Sequence, residues 1–358
     1  MDPKVSILWV NYNSSSFMQL AQESLKAIKD LDYSNFELII VDNGSGDGSF
    51  AVIKDFIEKN HINNRIIQLG RNLGFTGGNN AAYAARDRDS KYIILLNNDA
   101  VPRQDSLRDL VNLMENDENL GAVQGVILNH DERSIDTAGD YITELFYAES
   151  LFQGEHPESL KKPVYITSAD AAYSIFRVKA INKIPDQNNR LFDDYLFGYF
   201  DDHMLGLKLW NSGFKIKAFP IITAKHRRGS SFKKVGPLQT YLGARNLIII
   251  NEISNSRYKN LIRLLSFRQL SARFLAKISG LNVEHGSKDL PALVSRAFID
   301  GIKIGTARRK LGERIDIYKA PILKIQPLTA FLGTLARLQL IEPHVKKELD
   351  KITAVCNT

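Results

Sequence analysis

The chain has 358 residues, of which 44% are hydrophobic and 24% charged, a composition typical of a globular protein with one large domain and a smaller one. This composition excludes a mainly disordered protein, and no apolar run approaches the roughly 20 residues that a membrane-spanning helix needs. The start, Met1-Asp2-Pro3-Lys4, lacks the basic segment and long apolar core of a signal peptide, so we expect a cytoplasmic protein. The single cysteine, Cys356, excludes an intrachain disulfide and a cysteine-based metal cluster.

The charge is divided unevenly along the chain. Residues 255–358 contain 19 Lys and Arg against 8 Asp and Glu, a net charge of +11, which leaves −4 for residues 1–254. The acidic first part argues against a nucleic-acid-binding protein, and we expect no nucleic-acid partner. The basic tail has two interpretations: solvated faces of surface helices, or contact with an anionic membrane surface or a phosphorylated substrate.

The first hundred residues alternate apolar runs with helical patterns. The predicted strands lie at 5–10, 36–41, 65–69 and 92–96, and the predicted helices run through Leu20, Leu25 and Ile28, near 49–60 and near 79–88. Strands that alternate with helices predict right-handed βαβ crossovers and a mostly parallel sheet. Later, the pattern predicts helices near 104–116 and 201–212, strands near 121–128 and 164–168, an apolar stretch at 171–178 and a mainly helical region from about 240.

Polar residues follow three of the predicted strands. They are Asn11-Tyr12-Asn13, Asp42-Asn43 and Asn97-Asn98-Asp99. Open α/β sheets bind ligands beyond the carboxyl ends of their strands, so we expect these residues to converge on one polar site.

Two familiar phosphate-binding motifs are absent from the sequence. No G-x-G-x-x-G follows the first strand and no G-x-x-x-x-G-K-[ST] occurs, which argues against a dinucleotide fold and a P-loop. A divalent cation is the obvious alternative, because Mg²⁺ and Mn²⁺ favour oxygen ligands and bridge carboxylates to substrate phosphates. Asp99, at a strand end, is the natural candidate ligand.

Five segments occur in the order seen in family 2 glycosyltransferases, and the chain resembles that family over residues 4–250, most of all its rhamnosyltransferase-like branch. The segments are Val10–Asn13 (VNYN), Val41–Ser45 (VDNGS), Arg71–Asn80 (RNLGFTGGNN), Leu96–Asp99 (LNND) and Phe200–Asp202 (FDD). The resemblance implies an α/β glycosyltransferase-A fold over 1–250, with a nucleotide-binding half (1–100) and an acceptor-binding half (101–250). A basic, mainly helical C-terminal region (251–358) would follow.

The implied activity is an inverting, metal-dependent transfer of a sugar from a nucleoside diphosphate sugar to a hydroxyl of a glycan or lipid-linked acceptor. The donor would be a UDP-, dTDP- or GDP-sugar and the cation Mn²⁺ or Mg²⁺. The residues that the resemblance assigns to the nucleotide sugar are Asn11, Asn13, Asp42, Asn72, Gly77, Gly78, Asn79, Asn97, Asn98 and Arg227.

The metal ligands implied by the resemblance are Asp99 and His226. Asn97-Asn98-Asp99 resembles the family's D-x-D motif with its first acid replaced by Asn, so Asp99 remains the chief carboxylate ligand. His226 lies in a basic Gly-Ser context that resembles the family's V-x-H-x-x-G-S segment, and a neutral imidazole can ligate a divalent ion. The alternatives are a helix N-cap for Asp99 and a structural role for His226.

The acceptor side is predicted around Asp201 and Asp202, which resemble the family's Glu-Asp pair. Inverting transfer needs a base on the face opposite the leaving diphosphate, and alignment assigns that role to Asp202. Asp201 would position the acceptor or act as base itself. Two acids at a helix start also simply favour the helix dipole, which is the alternative.

Two other functions remain open at this point. One is a non-catalytic sugar-nucleotide or glycan-binding protein of the same fold, which the missing first acid of the metal motif favours. The other is a sugar-phosphate nucleotidyltransferase, which would carry a Gly-rich basic loop after strand one that residues 11–16 lack. In the tail, apolar residues alternate with basic ones at 261–278, and a basic cluster follows at 308–310. This pattern predicts one of two arrangements. Either the helices pack on the catalytic domain or on another subunit, or they make peripheral contact with the inner face of the cell membrane.

Overall fold

The computed structural model describes residues 2–185, 187, 189–229, 236–264, 266 and 290–325. Within these, the chain forms two compact units. The first contains residues 2–141 and 149–229, and the second contains 142–148 together with the described residues from 236 onward. The boundary predicted at residue 250 falls inside a helix of the second unit, and Cys356 lies outside the described residues.

The strands and helices that precede residue 230 follow the chain in the order strand, helix, strand up to residue 100. The strands are β1 (Val5–Asn11), β2 (Phe36–Asp42), β3 (Arg65–Gln68), β4 (Tyr92–Asn97), β5 (Ala100–Pro102), β6 (Leu120–Asn129), β7 (Ile135–Thr137), β8 (Asp140–Ile142), β9 (Ala148–Ser150), β10 (Val164–Tyr165), β11 (Tyr173–Arg177) and β12 (Lys215–His226). The helices are α1 (Met18–Lys29), α2 (Ser49–Lys59), α3 (Gly74–Ala84), α4 (Ser106–Glu115), α5 (Val178–Ile181) and α6 (Asp201–Asn211).

The main sheet has the order β10-β12-β6-β11-β4-β1-β2-β3, with β5 paired to β12 and β7 to β6. Strands β1 to β4 pair in parallel, as predicted from the strand–helix alternation. Beyond them the sheet is mixed, because β11 runs antiparallel to both β4 and β6. The chain reaches β11 through long irregular segments instead of a helical crossover, and such connections leave the strand direction free.

The core lies along the central strands, whose residues are buried on both faces. Ile7 and Trp9 of β1 and Ile94 of β4 are fully buried in one cluster with Leu25 and Ile28 of α1. The indole of Trp9 also donates a 3.1 Å hydrogen bond to Ser24 Oγ, so its polar group is satisfied inside the core. A continuous apolar run is therefore a strand buried on both faces, and its polar end projects from the sheet edge.

Helix α3 begins at Gly74, five residues before the predicted start near 79. The three glycines in its first turns lower helix propensity, which is why the sequence favoured a loop there. Packing decides otherwise, since a Cβ on Gly78 would lie 2.9 Å from Val10 Cγ1. The glycines bring the helix close to β1 and β2.

The second unit contains α7 (Gly236–Ile253) and α8 (Leu290–Lys310), which pack together. A Cβ on Gly301 would lie 2.8 Å from Ile248 Cβ, and one on Gly305 would lie 2.5 Å from Glu252 Cβ, so these glycines permit the close approach of the helices. Among the described residues, no helix is long and apolar enough to cross a membrane.

Basic residues of the tail neutralise buried glutamates in this unit. Arg263 forms two hydrogen bonds, of 2.6 and 2.5 Å, to the fully buried carboxylate of Glu252. Arg257 donates at 2.7 Å to Glu144, which lies in the segment 142–148. Part of the basic excess is therefore structural. Of the predicted amphipathic segment 261–278, residues 265 and 267–278 lie outside the described residues.

Candidate active site

Three strand ends meet as the sequence predicted. Asn11 ends β1 and donates from Nδ2 to Asp42 Oδ1 at 2.9 Å, and Asn98 beyond β4 donates to Asn11 Oδ1 at 3.4 Å. The register explains this contact, because Asn11 stands beside Asp42 and Val10 beside Asn97 in the parallel sheet. The carboxyl ends of β1, β2 and β4 thus form one polar patch of amides, hydroxyls and a carboxylate.

The loops after β1, β2 and β3 are tied to this patch. The backbone N–H of Asn13 donates to Ser45 Oγ at 3.0 Å, and its side-chain oxygen accepts from Gly46 N at 2.9 Å. Asn72 Oδ1 accepts from Asn43 Nδ2 at 3.0 Å and from the N–H of Gly74 at 2.7 Å.

The predicted residues of α3 have different surroundings. Gly78 lies against β1, Gly77 faces Leu73, and the buried side chain of Asn79 donates to Phe75 O at 3.0 Å. The residues between 11 and 79 that were predicted to bind the nucleotide sugar therefore lie around one edge of the sheet.

Asp99 and His226 come together through backbone pairing. Strand β5 starts at Ala100 and pairs with the end of β12, which sets His226 opposite Ala100. The N–H of Arg227 then donates to Asp99 O at 3.1 Å, and His226 Nε2 lies 3.1 Å from Asp99 Oδ1. Two residues 127 positions apart are thereby held as neighbouring side chains.

Asp136 is the residue that sequence reasoning missed. Its side chain is only 2% exposed; one oxygen lies 2.8 Å from His226 Nδ1 and the other accepts from Arg228 Nε at 2.7 Å. Strand β7 carries it there, because β7 pairs with β6, which also pairs with β12.

The electrostatics of this network favour a charged imidazole in the ligand-free chain. Although burial disfavours the imidazolium, the hydrogen bonds to Asp136 and Asp99 raise the pKa of His226 to about 10. The pKa of Asp136 stays below its ordinary value despite burial, because His226 and Arg228 donate to its carboxylate. Arg228 also reaches Asp170 Oδ2 at 3.1 Å.

The donor set fits a divalent cation. Two adjacent ligands of an octahedral ion with bonds of about 2.1 Å lie about 3 Å apart. Asp99 Oδ1 and His226 Nε2 have this spacing. A metal-ligating histidine almost always gives its other ring nitrogen to a carboxylate or carbonyl, which here is Asp136. One carboxylate and one imidazole would leave the remaining positions of such a cation to other oxygen ligands.

The acidic pair at the start of α6 lies in the same unit. Asp201 is buried, whereas the side chain of Asp202 is 23% exposed and accepts from the N–H of His203 at 2.9 Å. Burial and then the neighbouring carboxylate of Asp202 raise the pKa of Asp201 to about 8. Burial also raises the pKa of Asp202, and the charge of the neighbouring His203 opposes this most.

A second cluster surrounds Asp202. Ligand atoms of Asp140, Asp202 and His203 lie within 4.8 Å of one another. Burial and the carboxylate of Asp170 raise the pKa of Asp140 to about 7, and Ser150 Oγ donates to it at 2.6 Å. His203 Nδ1 lies 2.9 Å from Ser168 Oγ. The sequence analysis names none of His203, Asp140 and Asp170 as a functional residue.

Arg227 lies apart from the buried carboxylates, on the open side. It lines a cavity of about 390 Å³ with Ser15, Ser16 and His130. An adjoining cavity of about 360 Å³ is lined by His226, Arg227 and Arg228. A polar, partly basic opening therefore leads to the Asp99–His226 pair.

Residues 6–184, half of the chain, match the sequence profile of Glycosyl transferase family 2. The chain belongs to this family. The match covers the strand ends, Asp99 and Asp136, whereas Asp202 and His226 lie beyond it.

Two curated relatives of this family 2 member are each 24% identical to it. Poly-beta-1,6-N-acetyl-D-glucosamine synthase of Staphylococcus epidermidis aligns over 201 residues, 56% of this chain. This chain spans only 43% of the length of that relative. The other is a dolichyl N-acetyl-alpha-D-glucosaminyl phosphate 3-beta-D-2,3-diacetamido-2,3-dideoxy-beta-D-glucuronosyltransferase of Methanococcus voltae, aligned over 326 residues, 89% of this chain and 92% of the relative.

The crystal structure of S. aureus TarS residues 1–349 in complex with UDP resembles this family 2 chain, with a TM-score of 0.52 and 15% identity. The match covers 99% of this chain and 90% of the TarS chain. It confirms the predicted glycosyltransferase-A fold with C-terminal helices.

Proposed function

We propose that the chain is an inverting, metal-dependent glycosyltransferase that moves a sugar from a nucleoside diphosphate sugar to a hydroxyl of a glycan or lipid-linked acceptor. The observation that carries the proposal is the Asp99–His226–Asp136 arrangement beside the joined strand ends, with Asp202 in the same compact unit. Family membership favours a glycosyltransferase over the sugar-phosphate nucleotidyltransferase considered from the sequence.

The nucleoside end of the donor is assigned to the patch around Asn11 and Asp42. A carboxylate accepts from an imide N–H or a ribose hydroxyl, and the glycines of α3 let backbone groups approach the ligand. Asn72, Gly77 and Asn79 would stand beside the nucleoside, and Asn13, Asn97 and Asn98 would contact the donor through amide groups. The assignment to the rhamnosyltransferase-like branch is part of this proposal.

Asp99 Oδ1 and His226 Nε2 would hold the divalent cation, Mn²⁺ or Mg²⁺. When bound, the cation neutralises the charge of the diphosphate and so makes it a better leaving group. Asp136 fixes the ring of His226 so that Nε2 faces Asp99. Arg227 and Arg228 place positive charge where the leaving diphosphate gains negative charge.

Asp202 is the proposed base. Its carboxylate takes the proton of the acceptor hydroxyl while the hydroxyl oxygen bonds to C1 of the sugar from the face opposite the diphosphate. The bond from C1 to the diphosphate breaks with its electron pair on the leaving group, so the configuration at C1 inverts. Asp201, more deeply buried, keeps its proton at neutral pH and would position the acceptor.

The first experiment measures thermal stabilisation by UDP-, GDP- and dTDP-sugars, each with and without Mn²⁺. A ligand that binds the native state raises the melting temperature by mass action. UDP-sugars come first, because the TarS structure holds UDP. We expect one nucleotide to give a Mn²⁺-dependent shift that Asp99→Ala abolishes, followed by release of nucleoside diphosphate in the presence of an acceptor.

Asp105→Ala is the matched control, because this nearby carboxylate is 63% exposed and lies outside the proposed site. It should keep the full Mn²⁺-dependent shift. A shift without turnover on any acceptor would favour the sugar-nucleotide-binding protein. No shift with any donor would contradict the roles given to Asp99 and His226.

A further inference from the structure

Helix α3 carries the proposed nucleoside-binding glycines. It also forms hydrogen bonds to residues 191–194, in the segment that leads to Asp202. The side chain of Asn80 is buried and makes four hydrogen bonds, all to residues 191–194. Its Nδ2 donates to Phe192 O at 2.9 Å and to Asp194 Oδ1 at 2.6 Å. Its Oδ1 accepts the N–H groups of Leu191 and Phe192 at 3.0 and 2.8 Å. These four bonds use the full capacity of one amide side chain.

A second contact with this segment lies at Gly74, the first residue of the helix. A Cβ built on Gly74 would lie 2.1 Å from Phe197 O and 2.6 Å from Phe197 Cγ, so only glycine fits between helix and segment. The N–H of Thr76 donates to the same Phe197 oxygen at 3.3 Å. The ring of Phe75 adds a contact, with its centroid 5.8 Å from that of Phe192.

The chain between these contacts and Asp202 has little freedom. Phe197, Tyr199 and Phe200 have φ values of 65°, 67° and 64°, a left-handed conformation that side chains with a Cβ disfavour. The surroundings must hold such residues in place, and they cluster at functional sites. Phe200 O then accepts the N–H of Met204 at 2.9 Å and starts α6, whose first two residues are Asp201 and Asp202.

Helix α3 also contacts the strand ends of the proposed donor site. Gly78 approaches Val10 of β1, and Asn43, which follows β2, donates to Gly74 O at 2.9 Å. One short helix therefore touches both the strand ends that the donor would occupy and the segment that carries the base.

We propose that Asn80 and Gly74 are positioning residues, which fix segment 191–200 to α3 and thereby hold the Asp202 carboxylate at a set place relative to the bound donor. The proposal rests on the proposed function above. Neither residue contacts the reacting atoms. Both act through the backbone that leads into α6.

The test compares Gly74→Ala with Gly213→Ala. Both glycines are left-handed, with φ of 76° and 86°, but a Cβ on Gly213 would meet nothing within 4 Å. The two variants therefore share the cost of an alanine in this conformation, and only Gly74→Ala displaces Phe197. Asn80→Asp is the second variant, in case Gly74→Ala does not fold; it keeps the shape of the side chain and loses both N–H donors.

Three quantities are measured: kcat with the active donor, the Kd of UDP, GDP or dTDP with Mn²⁺, and deuterium uptake by residues 191–206. In Gly74→Ala and Asn80→Asp we expect kcat to fall by about 10²-fold, the typical cost of a misplacement of about 1 Å. Their nucleotide Kd should stay unchanged, and uptake by residues 191–206 should speed up. Gly213→Ala should match wild type in kcat and Kd.

Equal loss of nucleotide affinity and kcat in Gly74→Ala and Asn80→Asp would overturn the proposal, because the two residues would then serve the donor site alone. The proposal would also be overturned if Gly74→Ala behaved like Gly213→Ala, or if deuterium uptake by residues 191–206 stayed at the wild-type rate. Wild-type protein that binds nucleotide but transfers no sugar would instead overturn the proposed function, and the base with it.

Discussion

The two sides of the candidate site are built from different chemistry. On the donor side, Asn11, Asp42 and Ser45 join amides and hydroxyls to one carboxylate through short hydrogen bonds. On the acceptor side, buried carboxylates lie close together, and the pKa values of Asp140 and Asp201 rise to about 7 and 8. The groups of the proposed donor side are thus already hydrogen-bonded to one another, whereas the proposed acceptor side buries carboxyl groups where their ionisation costs stability. Active sites commonly accept such a cost where a proton must move.

The sharpest way to test this contrast is to remove the base. In Asp202→Asn we expect kcat to fall by about 10²–10⁴-fold, the usual contribution of a positioned base. The nucleotide Kd should not change, because the donor side remains intact. Steady-state kinetics and titration calorimetry measure the two quantities.

Asp201→Asn serves as the control for that variant, since it changes the neighbouring acid at the same helix start. It should lose much less activity. A greater loss in Asp201→Asn than in Asp202→Asn would transfer the role of base to Asp201.

Asp136 contacts the proposed metal ligand His226, so its replacement should weaken metal binding. In Asp136→Asn the side chain can no longer accept from both His226 and Arg228 through charged oxygens. We expect Mn²⁺ affinity in the presence of nucleotide to fall by about 10–100-fold, as is typical when a carboxylate that orients a ligating histidine is lost. Calorimetric titration with Mn²⁺, without acceptor, measures the effect.

The matched control is Asp105→Asn, which alters a carboxylate that is 63% exposed and lines neither of the two cavities. Its Mn²⁺ affinity should equal that of wild type. Equal affinities in the two variants would mean that Asp136 does not orient His226.

The acceptor side should also reveal itself in the pH dependence of stability. The pKa of Asp201 is about 8 in the folded chain against an ordinary value near 3.8, so between those pH values the folded chain binds more protons than the unfolded one. The free energy of unfolding therefore decreases as pH rises through this window. Asp201→Asn should therefore raise the melting temperature more at pH 9 than at pH 4, by several degrees. For a chain of this size, 1 kcal/mol of unfolding free energy corresponds to about 2–4 °C.

Differential scanning calorimetry of wild type and variant at both pH values gives this comparison, and other titrating groups cancel in the difference. Asp55→Asn, at an exposed helical position, is the control and should show no such dependence. A variant effect that is the same at pH 4 and pH 9 would show that burial does not raise the pKa of Asp201.

The smallest expected effect concerns the backbone before α6. Phe200→Gly and Phe200→Ala both remove the ring that lies 5.7 Å from the His203 ring, but only glycine accepts the left-handed conformation freely. We expect the glycine variant to be the more stable by about 1 kcal/mol in denaturant unfolding. Equal stabilities would mean that residue 200 leaves the left-handed region once its ring is gone.

The sequence predicted the meeting of the three strand ends well, for a physical reason. Apolar runs buried on both faces define β1, β2 and β4 almost to the residue, and parallel strands end at one edge, so Asn11, Asp42 and Asn98 had to meet. Nothing more than strand direction was needed.

The rest of the candidate site depends on information that no local pattern carries. Asp136 reaches His226 only through the register of β7, β6 and β12, and Asp170 precedes an antiparallel strand that the alternation rule does not foresee. The helix predicted near 79–88 includes Asn80, but the sequence assigns this residue no function. Its role appears only when segment 191–194 is placed against it.

The segment 142–148 sets an order of events during synthesis. Glu144 Oε2 accepts from Arg257 at 2.7 Å and from the N–H of Ile325 at 2.8 Å, partners that are 113 and 181 residues later in the chain. At the usual 5–20 residues per second, Ile325 is made about 10–40 s after Glu144. The carboxylate that ends up nearly inaccessible to water therefore stays hydrated until Ile325 has been translated, and the second unit can close only after that.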